Sequence, residues 1–153
     1  MKIVPFLFVL LFLSVSSFAQ ELTSFTTDHL ALIGADGVRH VIEVELAITP
    51  QQQTQGLMYR RKLKQDAGML FDFHEVKPIS MWMKNTLIPL DMIFIGDDGR
   101  IVGIAERAIP QSLDIISSPG PIRAVLEMNG GAASHMGIKP GDRMEYAQFS
   151  NSK

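Results

Sequence analysis

The run Met81-Trp82-Met83-Lys84-Asn85-Thr86-Leu87-Ile88-Pro89-Leu90-Asp91 brings the chain's one tryptophan together with a cation, an amide and a carboxylate. Such a set suits recognition of an anionic or polyhydroxyl group. Lys84 and Asn85 would orient its oxygens, with Arg60 as a further cation, and the Trp82 indole would give an apolar platform. Asp91 stands within Leu90-Asp91-Met92-Ile93-Phe94, and Glu127 within Ala124-Val125-Leu126-Glu127-Met128. An acid buried in an apolar strand persists only when it is paired or hydrogen-bonded. Asp91 therefore has two readings: it pairs with Lys84 or takes main-chain N–H groups from the Asn85-Thr86 turn, or it presents its charge to a ligand.

Two other chemistries use overlapping residues. Asp91 and Glu127 could act as the acid and base of a hydrolase or lyase working on cell-envelope material. Against this, cysteine is absent, and neither a Gly-x-Ser-x-Gly elbow nor a glycine-rich phosphate loop is present. A binding or accessory module is thus favoured over an enzyme. Met81 and Met83, with His74 nearby, offer soft donors for Cu(I). Methionine in a strand more commonly fills core space, and the histidines at 29, 40, 74 and 135 have no zinc spacing, so no metal or cofactor is expected.

The elements that must hold these residues are mostly strands. Residues 38–48 alternate, with Val38, His40, Ile42, Val44, Leu46 and Ile48 on one face, which is the pattern of a half-buried strand. Gly34-Ala35-Asp36-Gly37 is a turn, and His29 to Ile33 is predicted to be the first arm of a hairpin. Thr49-Pro50-Gln51-Gln52 reads as a helix start, with Thr49 as cap, Pro50 in the first turn and Gln52 completing a capping box. Further strands are predicted over 68–73, Ile79 to Asn85, Ile88 to Ile95, Arg100 to Ala108, Ile122 to Met128 and Arg143 to Phe149. A loop is expected over Ile109 to Pro121 and a helical turn over Ala132 to Met136. The expectation is a mainly β (α+β) domain, a compact barrel-like roll or sandwich of about seven strands with one or two short helices.

The N-terminus carries Lys2, an apolar run from Ile3 to Leu13, and Ser17-Phe18-Ala19 before Gln20. That is the pattern of a secretory signal with cleavage after Ala19. Residues 1–19 are then a signal peptide and 20–153 a single domain, periplasmic or secreted. The apolar run is shorter than the roughly 20 residues a membrane span needs, so no anchor is expected after cleavage. Without cysteine there is no disulfide, and stability must come from a core, for which 46% hydrophobic residues suffice. The net charge of −2 and the small size of the Arg60-Arg61-Lys62 cluster argue against nucleic acid. The expected partner is a polar or anionic small molecule, a glycan or an envelope protein.

Four blocks in order carry a resemblance. Gln55-Gly56-Leu57-Met58-Tyr59-Arg60, Gly68-Met69-Leu70-Phe71, Trp82 to Thr86 with Ile88 to Asp91, and Val125 to Gly131 with Gly137 to Asp142 resemble the family called domain of unknown function 192. The resemblance covers nearly all of residues 38–147. It implies a small, mostly β domain, often exported, with no established activity. Its polar motif positions fall on Arg60, Lys84, Asn85, Asp91 and Glu127.

Overall fold

The computed structural model describes residues 23–150. The export segment read at 1–19, and the chain up to residue 22, lie outside the described residues.

The elements run β1 (Thr26–Ile33), β2 (Arg39–Ala47), α1 (Pro50–Gln55), β3 (Ala67–Met81), β4 (Leu90–Ile95), β5 (Ile101–Ala108), β6 (Ile116–Asn129), α2 (Ala132–His135), β7 (Arg143–Glu145) and α3 (Ala147–Ser150). The seven strands form one sheet in the order β5-β4-β6-β3-β2-β1-β7. All neighbours are antiparallel except β2 and β3. The sheet curls into a half-barrel, and its two edge strands meet at one end. There Ile101 N–H donates to the Asp142 carbonyl and Met144 N–H to that of Gly99, both at 2.8 Å.

Curling gives the sheet two apolar faces. The inner face buries Leu32, Ile42, Val44, Leu70, Ile93, Ile95, Leu126 and Met128, with Met144, Tyr146 and Phe149 closing one side. The outer face buries Met69, Phe71, Met83, Leu90, Met92, Phe94 and Val125. This second core gives β4 its fully buried sequence, in which both sides of the strand are apolar apart from Asp91.

The predicted hairpin, the alternation of β2 and the capped helix are all present. Gln52 N–H donates to Thr49 Oγ1 at 3.2 Å, and the Gln52 side chain accepts from Thr49 N–H at 3.1 Å. Four expectations need correction. The strand expected over Ile79 to Asn85 is the tail of a longer β3 that ends at Met81, because Asn85 takes a left-handed φ of 56° in a turn. Half of the loop expected over Ile109 to Pro121 belongs to β6. Pro121 lies opposite Pro78, and at a ladder position needing no N–H from either residue the prolines are tolerated. The strand expected to reach Phe149 stops at Glu145, and three short helices are present where one or two were expected. No helix among the described residues is long and apolar enough to cross a membrane.

Candidate functional site

A cleft of about 510 Å3 opens at the end of β3, within the size range of small-molecule sites. One wall is α1 and the turn after it, from Gln53 to Met58. The other is the end of β3, Lys77 to Met81, continued by Trp82, Lys84 and Thr86. Phe71 and Phe73 contribute apolar surface, and Glu127 lies at the base. Gly56, with φ 48°, lets the chain leave α1 closely enough that a Cβ there would meet Phe71 Cζ at 3.0 Å.

Glu127 is 4% exposed, and no hydrogen bond or ion pair to its carboxyl is present among the described residues. Burial, with no charge nearby to offset it, pushes its pKa up from 4.5 to about 8. At neutral pH it is therefore mainly a protonated carboxylic acid, able to donate one O–H bond into the cleft and accept another. Lys84 stands 5.1 Å over the Trp82 ring, within cation–π range. Both side chains are on the rim, and Trp82 is 46% exposed.

The turn that carries them is clamped from two sides. Tyr59 N–H donates to the Asn85 carbonyl at 2.9 Å, and Asn85 Nδ2 donates to Tyr59 Oη at 3.0 Å. Gln111 N–H donates to the Thr86 carbonyl at 3.0 Å, and Met83 N–H to that of Ser112 at 3.1 Å. Tyr59, Asn85 and Gln111 all adopt positive φ without being glycine. Three uncommon backbone conformations thus meet around one turn, held there by the surrounding hydrogen bonds.

Asp91 has a different task. It is fully buried, and its Oδ1 accepts from Arg107 N–H and Gly131 N–H at 2.8 Å each while Oδ2 accepts from Ala133 N–H at 2.9 Å. The acid ties β4 to a bulge in β5 and to the start of α2. Main-chain satisfaction is thus the correct reading, but from donors far along the chain and not from Asn85-Thr86 or Lys84. The pairing of Asp91 with Glu127 as acid and base is corrected by the register. Asp91 lies opposite Met128 and Met92 opposite Glu127. Ladder partners share a face and chain neighbours alternate, so the two carboxyls leave the sheet on opposite sides.

Of the remaining sequence candidates, Arg60 is engaged 2.5 Å from Glu45 on β2 and lies over the Phe25 ring, outside the cleft lining. Asn85 serves the clamp. Trp82, Lys84 and Glu127 are brought to one cleft. The soft-donor set is divided: Met83 is fully buried in the outer core, Met81 lines the cleft, and His74 Nδ1 lies 3.6 Å from Asp72 Oδ2. Gln53, Lys77 and Ser80 complete the cleft and were not singled out by the sequence. Only the Lys77-Pro78 pair, unusual within a strand, could have marked an edge there.

Solved structures resemble this one. A candidate transcription regulator from Sinorhizobium meliloti 1021 is similar at 50% identity and TM-score 0.79, over 82% of this chain and 97% of that one. A protein of unknown function from Novosphingobium aromaticivorans DSM 12444 is similar at 43% identity and TM-score 0.76, over 78% of this chain and 85% of that one. No curated protein matches. The family profile described as an uncharacterized ACR, DUF192, matches residues 31–146. With that span covering β2 to β7, the clamped turn, Asp91 and Glu127, the chain belongs to the domain of unknown function 192 family.

Proposed function

We propose that the protein is an exported binding module of the cell envelope that takes a small polar or anionic ligand in the cleft between α1 and the end of β3. The observation that carries this reading is Glu127, a buried acid without a protein partner at the base of an open cleft. A neutral carboxyl in that position is a directional donor awaiting an acceptor. Lys84 would hold a negative group at the rim, and Trp82 would cover the ligand's apolar part. The clamped turn keeps both in place before the ligand arrives, which lowers the ordering cost of binding.

Trp82 is the only tryptophan, so its fluorescence reports on the cleft alone. Titration with short monocarboxylates and N-acetylated sugars should shift its emission for at least one class. Lys84→Gln should weaken an anionic ligand about 5–10-fold, and Glu127→Ala should weaken any class that reaches the base. Emission unchanged across both classes would remove the reading.

A second reading keeps the neutral Glu127 as general acid of a hydrolase or lyase acting on envelope material. Asp91 is not available as its partner, so binding is the leading reading. The regulator description of the Sinorhizobium meliloti protein is not carried to this chain, whose 14 basic and 16 acidic residues do not favour nucleic acid.

A further inference from the structure

The cleft wall at Lys77 to Met81 is also a strand edge without a neighbour. β2 accompanies β3 only from Glu43 opposite Ala67 to Ala47 opposite Phe71, after which the chain turns off into α1. On its other side β3 pairs with β6 from Gly68 to Asp72 and again from Lys77 to Met81 opposite Ile116, with irregularities between Asp72 and Lys77 and between Pro78 and Ser80. Beyond Phe71, therefore, the side of β3 that faces α1 lacks a strand among the described residues. The first carbonyl past this point is covered by a side chain, since Gln53 Nε2 donates to Asp72 O at 3.0 Å. Further along, Ile79 N–H is turned the other way and donates to Ser118 Oγ on β6 at 3.0 Å. Strand alternation then directs the N–H and carbonyl of Ser80 toward the cleft. Groups presented in this way are what an added strand uses.

We propose that the cleft binds an extended peptide segment, which adds as a strand along the Lys77–Met81 edge with an acidic group at the Lys84 end. This rests on the cleft being a binding site and names the class of ligand it takes. Charge favours an acidic peptide: the charged residues lining the cleft are Lys77, Lys84 and Glu127, and Glu127 is neutral near pH 7. Lys77 is already matched with Glu75, whereas the Lys84 ammonium lies over the Trp82 ring and has no carboxylate partner among the described residues. A second copy of the same edge is disfavoured, because it would set the lysines at 77 and 84 of one chain against those of the other, whereas an acidic peptide complements them. An incoming peptide would set alternate side chains toward the apolar cleft, where Phe71 and Ile79 meet its stem and Glu127 its polar end.

The test uses the purified protein and the pentapeptide acetyl-Thr-Val-Thr-Val-Asp with a free C-terminus. The comparisons are the same peptide N-methylated at alternate amides, an amidated version ending in Lys, and sodium hexanoate. Trp82 fluorescence measures affinity and hydrogen exchange follows the Ser80 amide. The acidic peptide should shift Trp82 and slow exchange at Ser80. N-methylation and the Lys ending should each weaken binding about tenfold or more, and Lys84→Gln should erase the preference for Asp over Lys. Equal binding of the N-methylated peptide, or a hexanoate response with no protection of Ser80 by any peptide, overturns strand addition and leaves the cleft reading standing. A dimer in sedimentation with Ser80 protected before peptide is added also overturns it, in favour of a second copy. Silence of Trp82 toward every probe sinks both proposals.

Discussion

Glu127 and Asp91 are both acids in apolar strands one register step apart, and their surroundings give them opposite chemistry. Asp91 receives three main-chain N–H groups, which make it a structural clasp. Asp91→Ala would leave those donors buried and unpaired, so a loss of about 3–5 kcal/mol is expected in urea denaturation. A loss under 1 kcal/mol would mean that water or a shifted backbone replaces it. Glu127 has no such donors, and its raised pKa of about 8 makes stability depend on pH. Below pH 4.5 both folded and unfolded chains hold the proton. Between 4.5 and 8 only the folded chain does, so stability falls as pH rises across that window and levels off above it. Glu127→Gln removes this slope, and its stability relative to the parent should rise by about 2–4 kcal/mol from pH 5 to pH 8. Parallel curves for the two proteins would show that Glu127 titrates in the ordinary range.

At the scale of elements, the turn from Met83 to Thr86 is held by the turn after α1 and by residues 111–112. Asn85 contributes both a left-handed backbone and an amide bond to Tyr59. Asn85→Gly and Asn85→Ala lose the same amide, so the difference between them isolates the backbone. The alanine variant should be less stable by about 1 kcal/mol in thermal or urea unfolding, because a Cβ is crowded at positive φ. Equal stabilities would mean that the turn relaxes to another conformation. The helix α1 was legible from Thr49, Pro50 and Gln52 because capping is local. Its role as a cleft wall was not, since Gln53 meets Asp72 only after the parallel crossover from β2 to β3 is made.

The whole molecule depends on closure of the curled sheet. β7 joins β1 on one side and is stitched to the start of β5 on the other, while Tyr146 and Phe149 cap the inner core. Arg123, paired with Asp72 at 3.2 Å, lies over the Phe149 ring at 4.1 Å and anchors that cap. A chain ending at Gly141 would lose the seam and the cap together. Its unfolding followed by circular dichroism should become broad and non-cooperative, and the Trp82 environment should loosen with it. A sharp transition close to that of the full chain would show that β1 to β6 close the core by themselves.

The amino-acid order by itself determined the β content, the face of β2 that is buried, the capped helix and the run containing Trp82 and Lys84. Periodicity, turn residues and capping act within a few positions and can be read there. Tertiary structure alone decided which buried acid is a clasp and which faces a cleft, because that follows from the register of β4 against β6. It also decided that β3 outruns β2 and leaves an open edge, since the length of a strand is limited by the neighbour that pairs with it.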